Sequence, residues 1–290
     1  MTTRPAAARA HHSRGVALML VSTVSFTANV LLIRALGEIQ QVNVWLVSCV
    51  RFVAGMAVVL GFYRREFAFT RLFTVPKLIG RGAVGGASVY LFYLTVVHLG
   101  AGRATFINNT YVIFGPLLAA WVLRESLRSA LLLGGAAALV GLALLTNAFG
   151  AGASAGLYDL LGVVSALAAS YVVVTIRQLH ATDHSSTIFA SQCIYGLLLC
   201  ALPAALHPQA VSPLAWGVML LAGGAAAVGQ MTMTRAFRDL PVAEGSLLQM
   251  LVPLGIATGG VVFFREHFTP HELAGAALIL GGSALTAARR

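Results

Sequence analysis

Two pairs of polar side chains with the same spacing interrupt otherwise apolar stretches of this sequence. Thr105 and Asn108 stand three residues apart, and Ser246 and Gln249 repeat the hydroxyl and the amide at an offset of 141 positions (246 − 105 and 249 − 108). Residues three apart share one face of a helix, so each pair presents its hydrogen-bonding groups together. We predict that both pairs face one polar site between two repeats of the fold.

Other polar and aromatic residues inside apolar stretches could contact a small solute bound at the same site. Amides and phenols can hydrogen-bond its polar end, while aromatic faces, with Phe26 among them, pack against an apolar group. The alternative is that these side chains tie helices together or fill the core. The predicted substrate-binding set is Asn29, Tyr90, Tyr93, Thr105, Asn108, Tyr111, Tyr171, Gln230, Ser246 and Gln249.

Four further residues are predicted to have gating or structural roles. Arg51 carries a charge near the middle of an apolar stretch, where it must face protein; it is predicted to be an anchor, and contact with a substrate carboxylate is the alternative. Glu244 is expected to reach the membrane edge, to pair with a basic loop residue or to act as a gate. Pro116 and Pro253 remove backbone hydrogen bonds and can bend their helices.

The composition identifies the elements that must hold these residues. The chain has 290 residues, of which 58% are hydrophobic and 10% charged, whereas an ordinary soluble domain is about 25% charged. Lipid must therefore cover much of the surface. A helix needs about 20 apolar residues to cross a bilayer. Ten stretches qualify: 15–36, 42–63, 77–98, 101–123, 128–147, 156–177, 185–206, 212–236, 241–263 and 269–288.

Basic residues concentrate in alternate loops between these stretches. With the N-terminus in the cytoplasm, 15 of the 19 Lys and Arg residues fall on the cytoplasmic side, Arg81 among them, and three fall outside. Such a bias is typical of inner-membrane proteins. It predicts a multi-pass protein of a bacterial inner membrane with both termini cytoplasmic. It also accounts for the net charge of +10, so no nucleic-acid partner is expected.

The sequence divides into two similar halves. After a cytoplasmic tail, 1–14, residues 15–147 and 156–288 hold five stretches each, and a Gly- and Ala-rich linker, 148–155, joins them. Arg124-Glu125 recurs as Arg265-Glu266 at the offset of 141 positions seen above. Because five is odd, the second half must be inserted upside down. The predicted fold is an all-α polytopic membrane protein, with ten transmembrane helices arranged as two inverted five-helix repeats around a central cavity.

These halves, each with an Arg-Glu pair before a Gly-Ala-Ala helix, resemble the ten-helix, EamA-like drug/metabolite transporter superfamily. Arg51-Phe52 in the second stretch and Pro253 in the ninth fit the resemblance. Within the superfamily the chain is most similar to bacterial aromatic amino-acid exporters, because Asn108-Asn109-Thr110-Tyr111 make its fourth stretch polar and aromatic. The resemblance implies a basket-like cavity lined by helices 1, 3, 4, 6, 8 and 9. In one departure, the first half has Pro116 where the counterpart of Pro253 would be Val112.

The expected function is export of small amphipathic metabolites, above all aromatic and other apolar amino acids, by alternating access. A drug or other-metabolite carrier is the alternative within transport. An intramembrane enzyme would need a nucleophile–base or metal set inside the helices, and a membrane scaffold would not need converging amides and tyrosines. Acidic residues are missing from the helix centres, which favours facilitated export or exchange over tight ion coupling. The sequence predicts the bilayer and a small-molecule substrate as partners, and no cofactor or metal.

Overall fold

A computed structural model describes residues 6–99, 101–126, 129–148, 156–265, 267 and 269–288. Residues 1–5 of the predicted tail, 149–155 of the predicted linker, and Glu266 of the second Arg-Glu pair lie outside this described part. Within it the chain forms helices and no strands. The helices are α1 Ala6–Ile39, α2 Val44–Phe62, α3 Arg71–Thr74, α4 Pro76–Leu99, α5 Ala101–Asn109, α6 Tyr111–Leu123, α7 Ser129–Leu145, α8 Leu157–Leu179, α9 Ser185–Leu206, α10 Pro213–Asp239, α11 Val242–Gln249, α12 Leu251–Phe264 and α13 Pro270–Ala288.

These helices form ten membrane spans, as the sequence predicts. Seven spans are long and apolar enough to cross a bilayer on length and hydropathy alone. The others are α4, which carries Lys77 and Arg81, the shorter α7, and α13. Two of the spans are broken, the fourth into α5 and α6 and the ninth into α11 and α12. Helix α1 begins at Ala6 rather than at Gly15, so it continues into the segment predicted as a tail.

Polar contacts identify which helix ends share one face of the molecule. His12, near the start of α1, lies 2.8 Å from the carboxylate of Glu244 at the start of α11. Arg177, near the end of α8, donates to the carbonyl of Leu240 between α10 and α11 at 2.9 Å, and it also pairs with Glu125 after α6. The start of α1 therefore lies with the ends of α6 and α8. We call this side the His12 face.

The other ends of the same helices meet on the opposite side. Asp159, at the start of α8, pairs with Arg103 near the start of α5 at 2.7 Å. Near the end of α1, the Arg34 guanidinium lies 4.2 Å from the ring centroid of Phe264, which ends α12. We call this side the Asp159 face. Helix α6 thus ends at one face and its repeat counterpart α12 at the other, which is the inverted arrangement.

The two broken spans end in the same unusual backbone conformation. Arg124 follows α6 with φ 56°, and Arg265 follows α12 with φ 57°, both in the left-handed region. Their N–H groups bond the carbonyls of Ala119 and Gly260, five residues earlier in each case. This conformation is costly for residues other than glycine. Its recurrence at the offset of 141 positions shows that the two duplicated arginines end their helices in the same way.

The repeats are interleaved, because each contributes its first helix to the other. Helix α1 packs along α10, the third span of the second repeat, and α8 packs along α4, the third span of the first. The last spans, α7 and α13, pack against each other. There, a Cβ at Gly141 would lie 2.5 Å from the carbonyl oxygen of Gly275, and one at Gly282 would lie 2.5 Å from that of Gly134. Glycine allows this close backbone contact.

Neighbouring glycines of α13 provide a matched test of this contact. Gly282→Ala should destabilise the protein by about 1–3 kcal/mol, because its new methyl group collides with the backbone of α7. Gly281→Ala should be nearly neutral, because nothing lies within 4 Å of the added atom. Thermal unfolding of both variants in detergent measures the difference. Equal unfolding temperatures would show that α7 and α13 do not meet along these glycines.

Candidate functional site

Three of the first four helices bring a cation and two aromatic rings together inside the protein. Arg51 of α2 donates from Nη1 to the phenol oxygen of Tyr93 on α4 at 3.3 Å. The same guanidinium lies 5.8 Å from the ring centroid of Phe26 on α1, within reach of a cation–π interaction. The predicted anchor and two members of the predicted aromatic group therefore lie together.

A small cavity adjoins this cluster at the contact between the repeats. Two glutamines, Gln192 of α9 and Gln230 of α10, line it together with Arg51. Its volume is about 10 Å³, close to the space that one water molecule requires. Phe52, Phe189, Ala226 and Ala227 complete the lining. The structure thus adds Gln192, which sequence reasoning missed, to the predicted Gln230.

Gln192 connects this cavity to a second, fully buried arginine. Arg81 of α4 has no exposed surface, and its Nη1 donates to Oε1 of Gln192 at 3.0 Å. Its Nε and Nη2 have no hydrogen-bond partner in the described structure. A buried donor without a partner costs about 1–3 kcal/mol, and more when it is charged. The Nε–Nη2 edge of this guanidinium is therefore unsatisfied.

The sequence placed Arg81 in the third span, 77–98, and counted it among the charges of the cytoplasmic side. The structure adds that this side chain, five residues after the start of α4, is buried in the protein. The glycine one helical turn after Arg81 could have indicated that its side chain is buried. A Cβ at Gly85, one turn later, would lie only 3.3 Å from Nη1 of Arg81, so glycine at this position leaves room for the guanidinium.

The two repeat-related amides each bond a serine on the first helix of the other repeat. Oδ1 of Asn108 accepts from Oγ of Ser165 on α8 at 2.9 Å. Nε2 of Gln249 donates to Oγ of Ser22 on α1 at 2.9 Å. Both amides thus have partners inside the protein, as expected if they tie helices together. Their contact with a substrate stays a prediction.

The remaining predicted polar residues have local or interhelical surroundings. Asn29 donates to the carbonyl of Ala222 on α10 at 2.8 Å, which ties α1 to its partner helix. Thr105 is half-buried on α5. Ser246 is fully buried, and its hydroxyl has no partner in the described residues. It faces α6, where a Cβ at Gly115 would lie 3.7 Å from its oxygen.

The predicted aromatic residues do not form one continuous wall. Tyr90 stacks on Trp45 with ring centroids 4.5 Å apart. Tyr111 packs against the buried apolar cluster of α1, α8 and α10. Tyr171 is 37% exposed, and its hydroxyl lies 3.0 Å from where a Cβ at Gly80 would be. Of the predicted tyrosines, Tyr93 is the one that these contacts bring to Arg51.

The other predicted gating residues lie at two distinct kinds of position. Glu244 pairs with His12 at the His12 face. Pro253 follows the break between α11 and α12, and its missing N–H leaves the carbonyl of Gln249 without a helical donor. Pro116 lies further inside α6, whereas the break before α6 occurs at Thr110, whose hydroxyl bonds the carbonyl of Ile107 at 2.6 Å. The two breaks match in position but differ in cause.

Comparison with known proteins relates both halves to one family. The model of the EamA-like transporter family matches residues 13–147 and again 156–288. The pseudopaline exporter CntI of Pseudomonas aeruginosa strain UCBPP-PA14 is 26% identical over 211 residues, which cover 71% of this chain and 72% of the relative. The pseudopaline exporter CntI of strain PAO1 is 25% identical over 214 residues, with the same coverage. A crystal structure with a TM-score of 0.80 covers 95% of this chain and 96% of its own at 19% identity, and it supports the fold.

The cross-repeat hydrogen bonds can be tested on neighbouring asparagines. Asn108→Leu should lower stability by about 0.6 kcal/mol, a typical value for an interhelical hydrogen bond in a membrane protein. Asn109→Leu is the control, because the Asn109 amide bonds the carbonyl of Thr105 in its own helix. Thermal unfolding in detergent compares the two. The interhelical role would be contradicted if Asn109→Leu were the more damaging change.

Proposed function

The chain belongs to the EamA-like transporter family, and from this premise we propose that it exports small amphipathic metabolites, with aromatic and other apolar amino acids as the foremost candidates. The observation that carries the proposal is the cluster of Arg51, Tyr93 and Phe26 beside Gln230. It combines a cation, a phenol and an amide with an aromatic face, at the contact between two inverted repeats. Such a set can hold a polar end and an apolar side chain of one solute.

Alternating access is the mechanism that we propose for this arrangement. The solute is held near the middle of the bilayer while one face opens and the other closes. Polar contacts between helix ends hold the faces shut: His12 with Glu244 on one, and Arg103 with Asp159 on the other. Each contact joins a broken span to the first helix of a repeat. Rocking of the repeats would break one contact while the other holds.

The His12 face is, in this proposal, the cytoplasmic one. It carries Arg177 and the pair formed by Arg71 and Asp183, in keeping with the excess of basic residues on cytoplasmic loops. Both termini then lie in the cytoplasm. The predicted division also stands as a proposal: a tail to residue 14, repeats at 15–147 and 156–288, and the linker 148–155 between them.

Export of a different metabolite is the second candidate. The two Pseudomonas aeruginosa relatives are named for export of pseudopaline and not of an aromatic amino acid. A carrier for pseudopaline or another metabolite would keep the same interleaved repeats and the same mechanism. The solute would then differ in the groups that it presents to Arg51 and Gln230. Transport measurements distinguish the two candidates.

Efflux from proteoliposomes tests the proposed function. Liposomes loaded with radiolabelled phenylalanine should release it faster with the protein than without, and no imposed pH or sodium gradient should be needed. Tyr93→Phe should slow efflux by about threefold to tenfold, because one hydrogen bond at the cluster is lost. Tyr195→Phe, which removes a hydroxyl bonded to the carbonyl of Leu72 outside the cluster, should leave efflux unchanged.

The outcomes separate the candidate functions. Efflux of pseudopaline but not of phenylalanine would favour the second candidate. Absence of flux for every solute in a screen of amino acids and pseudopaline would contradict export of amino acids and export of pseudopaline. Equal loss of efflux in both tyrosine variants would show that the Arg51 cluster has no special part in transport.

A further inference from the structure

The open edge of Arg81 has the geometry of a carboxylate site. A guanidinium binds a carboxylate most firmly with two parallel N–H donors that meet its two oxygens. Nε and Nη2 lie along one edge of the group and form such a pair. In Arg81 these are the two nitrogens without a partner, while Nη1 is held by Gln192. The guanidinium is therefore hydrogen-bonded at Nη1 and without a partner along its Nε–Nη2 edge.

The same protein shows this edge occupied in another arginine. Arg71 donates from Nε to one carboxylate oxygen of Asp183 at 2.7 Å and from Nη2 to the other at 3.1 Å. Burial raises the pKa of Asp183, yet the hydrogen bonds from Arg71 and Thr182 and the charge of Arg71 together leave the pKa below its ordinary value. Arg81 thus presents, deep inside the protein, the donor pair that holds a carboxylate at Arg71.

The described chain supplies no carboxylate for Arg81. Glu266 lies outside the described residues, and the other acidic residues lie in loops or in the first or last turns of helices. Five of them already pair with basic residues elsewhere: Glu125 with Arg177, Asp159 with Arg103, Asp183 with Arg71, Glu244 with His12, and Asp239 with His11.

The positive charge of Arg81 is reinforced by its surroundings. Gln192, which holds Arg81, also lines the small cavity beside Arg51. Arg51 and Arg81 are therefore both close to this one glutamine. Two cations near one point, enclosed by apolar helices, attract an anion strongly because the surroundings screen them little. An anionic group of a solute would therefore be drawn to this region.

We propose that the Nε–Nη2 edge of Arg81 binds a carboxylate of the transported solute, with Gln192 holding the guanidinium in place. This rests on the proposed export function and narrows its substrate class to solutes that carry a carboxylate. Helix α4 starts on the His12 face, which we assign to the cytoplasm, so Arg81 lies on the side from which an exporter loads. Arg51, deeper along the path, reinforces the attraction and addresses the aromatic part of the solute.

Pairs of solutes that differ only in the carboxylate test this site. Proteoliposomes are loaded with phenylalanine or leucine, or with the corresponding amides, in which the negative charge is absent. The wild-type protein should release each acid at least about tenfold faster than its amide. Arg81→Met should bring the acids down to the rate of the amides. Arg81→Lys should recover only part of the difference, because an ammonium group lacks the two-donor edge.

A control and a stability measurement keep the result interpretable. Arg65→Met removes an exposed arginine from the loop after α2 and should change neither rate. Without a solute, Arg81→Met should unfold in detergent at the same temperature as the wild type or higher, since it removes a charge that is not fully satisfied. Addition of phenylalanine should raise the unfolding temperature of the wild type but not that of Arg81→Met.

Each contrary result has a separate meaning. Equal release of acid and amide by the wild type would overturn the carboxylate site and leave the exporter standing. A lower unfolding temperature of solute-free Arg81→Met would make Arg81 a structural residue and also overturn the site. No release of any of the four solutes would contradict the proposed amino-acid export, and the carboxylate site, as part of that export, would fall with it.

Discussion

Hydrocarbon offers no hydrogen-bond partner, so every polar group within the membrane must find one inside the protein. In this chain the partner repeatedly comes from the other repeat. Asn108 of the first repeat bonds Ser165 of the second, and Gln249 of the second bonds Ser22 of the first. Helices α1 and α8 are therefore exchanged between the repeats, and each of these two amides finds its side-chain partner in the other repeat. The fold depends on these hydrogen bonds between the two repeats.

The exceptions to this rule lie where a solute would be handled. Arg51 has a phenol and an aromatic ring as its contacts rather than a carboxylate, and Arg81 keeps two donors unsatisfied. Elsewhere the pairs between described acidic and basic residues lie at the ends of helices, near the two faces of the molecule. A carrier that binds a solute inside and opens at its faces requires two features. It needs contacts between helix ends that can break, and it needs buried, positively charged groups that still have free hydrogen-bond donors.

Much of this architecture could be predicted from the sequence, because hydropathy and repetition depend on composition and spacing alone. The ten spans, the inverted halves and the superfamily follow from such patterns and are confirmed. The surroundings of single side chains could not be predicted, because they depend on how each helix is rotated. The sequence gives no sign, for example, that Tyr90 stacks on Trp45 while Tyr93 bonds Arg51. Arg81 was missed because closeness to a span end does not show whether a side chain points outward or inward.

Inversion of the two repeats is the central claim, and two equivalent positions test it directly. Ser126 and His267 follow α6 and α12 at the repeat offset, and both are exposed. A single cysteine can be placed at either position in a variant whose three native cysteines are replaced by alanine. An impermeant maleimide added to intact cells should label His267→Cys at once, and Ser126→Cys only after the membrane is opened. Labelling of both cysteines from the same side would contradict the inverted architecture and the mechanism built on it.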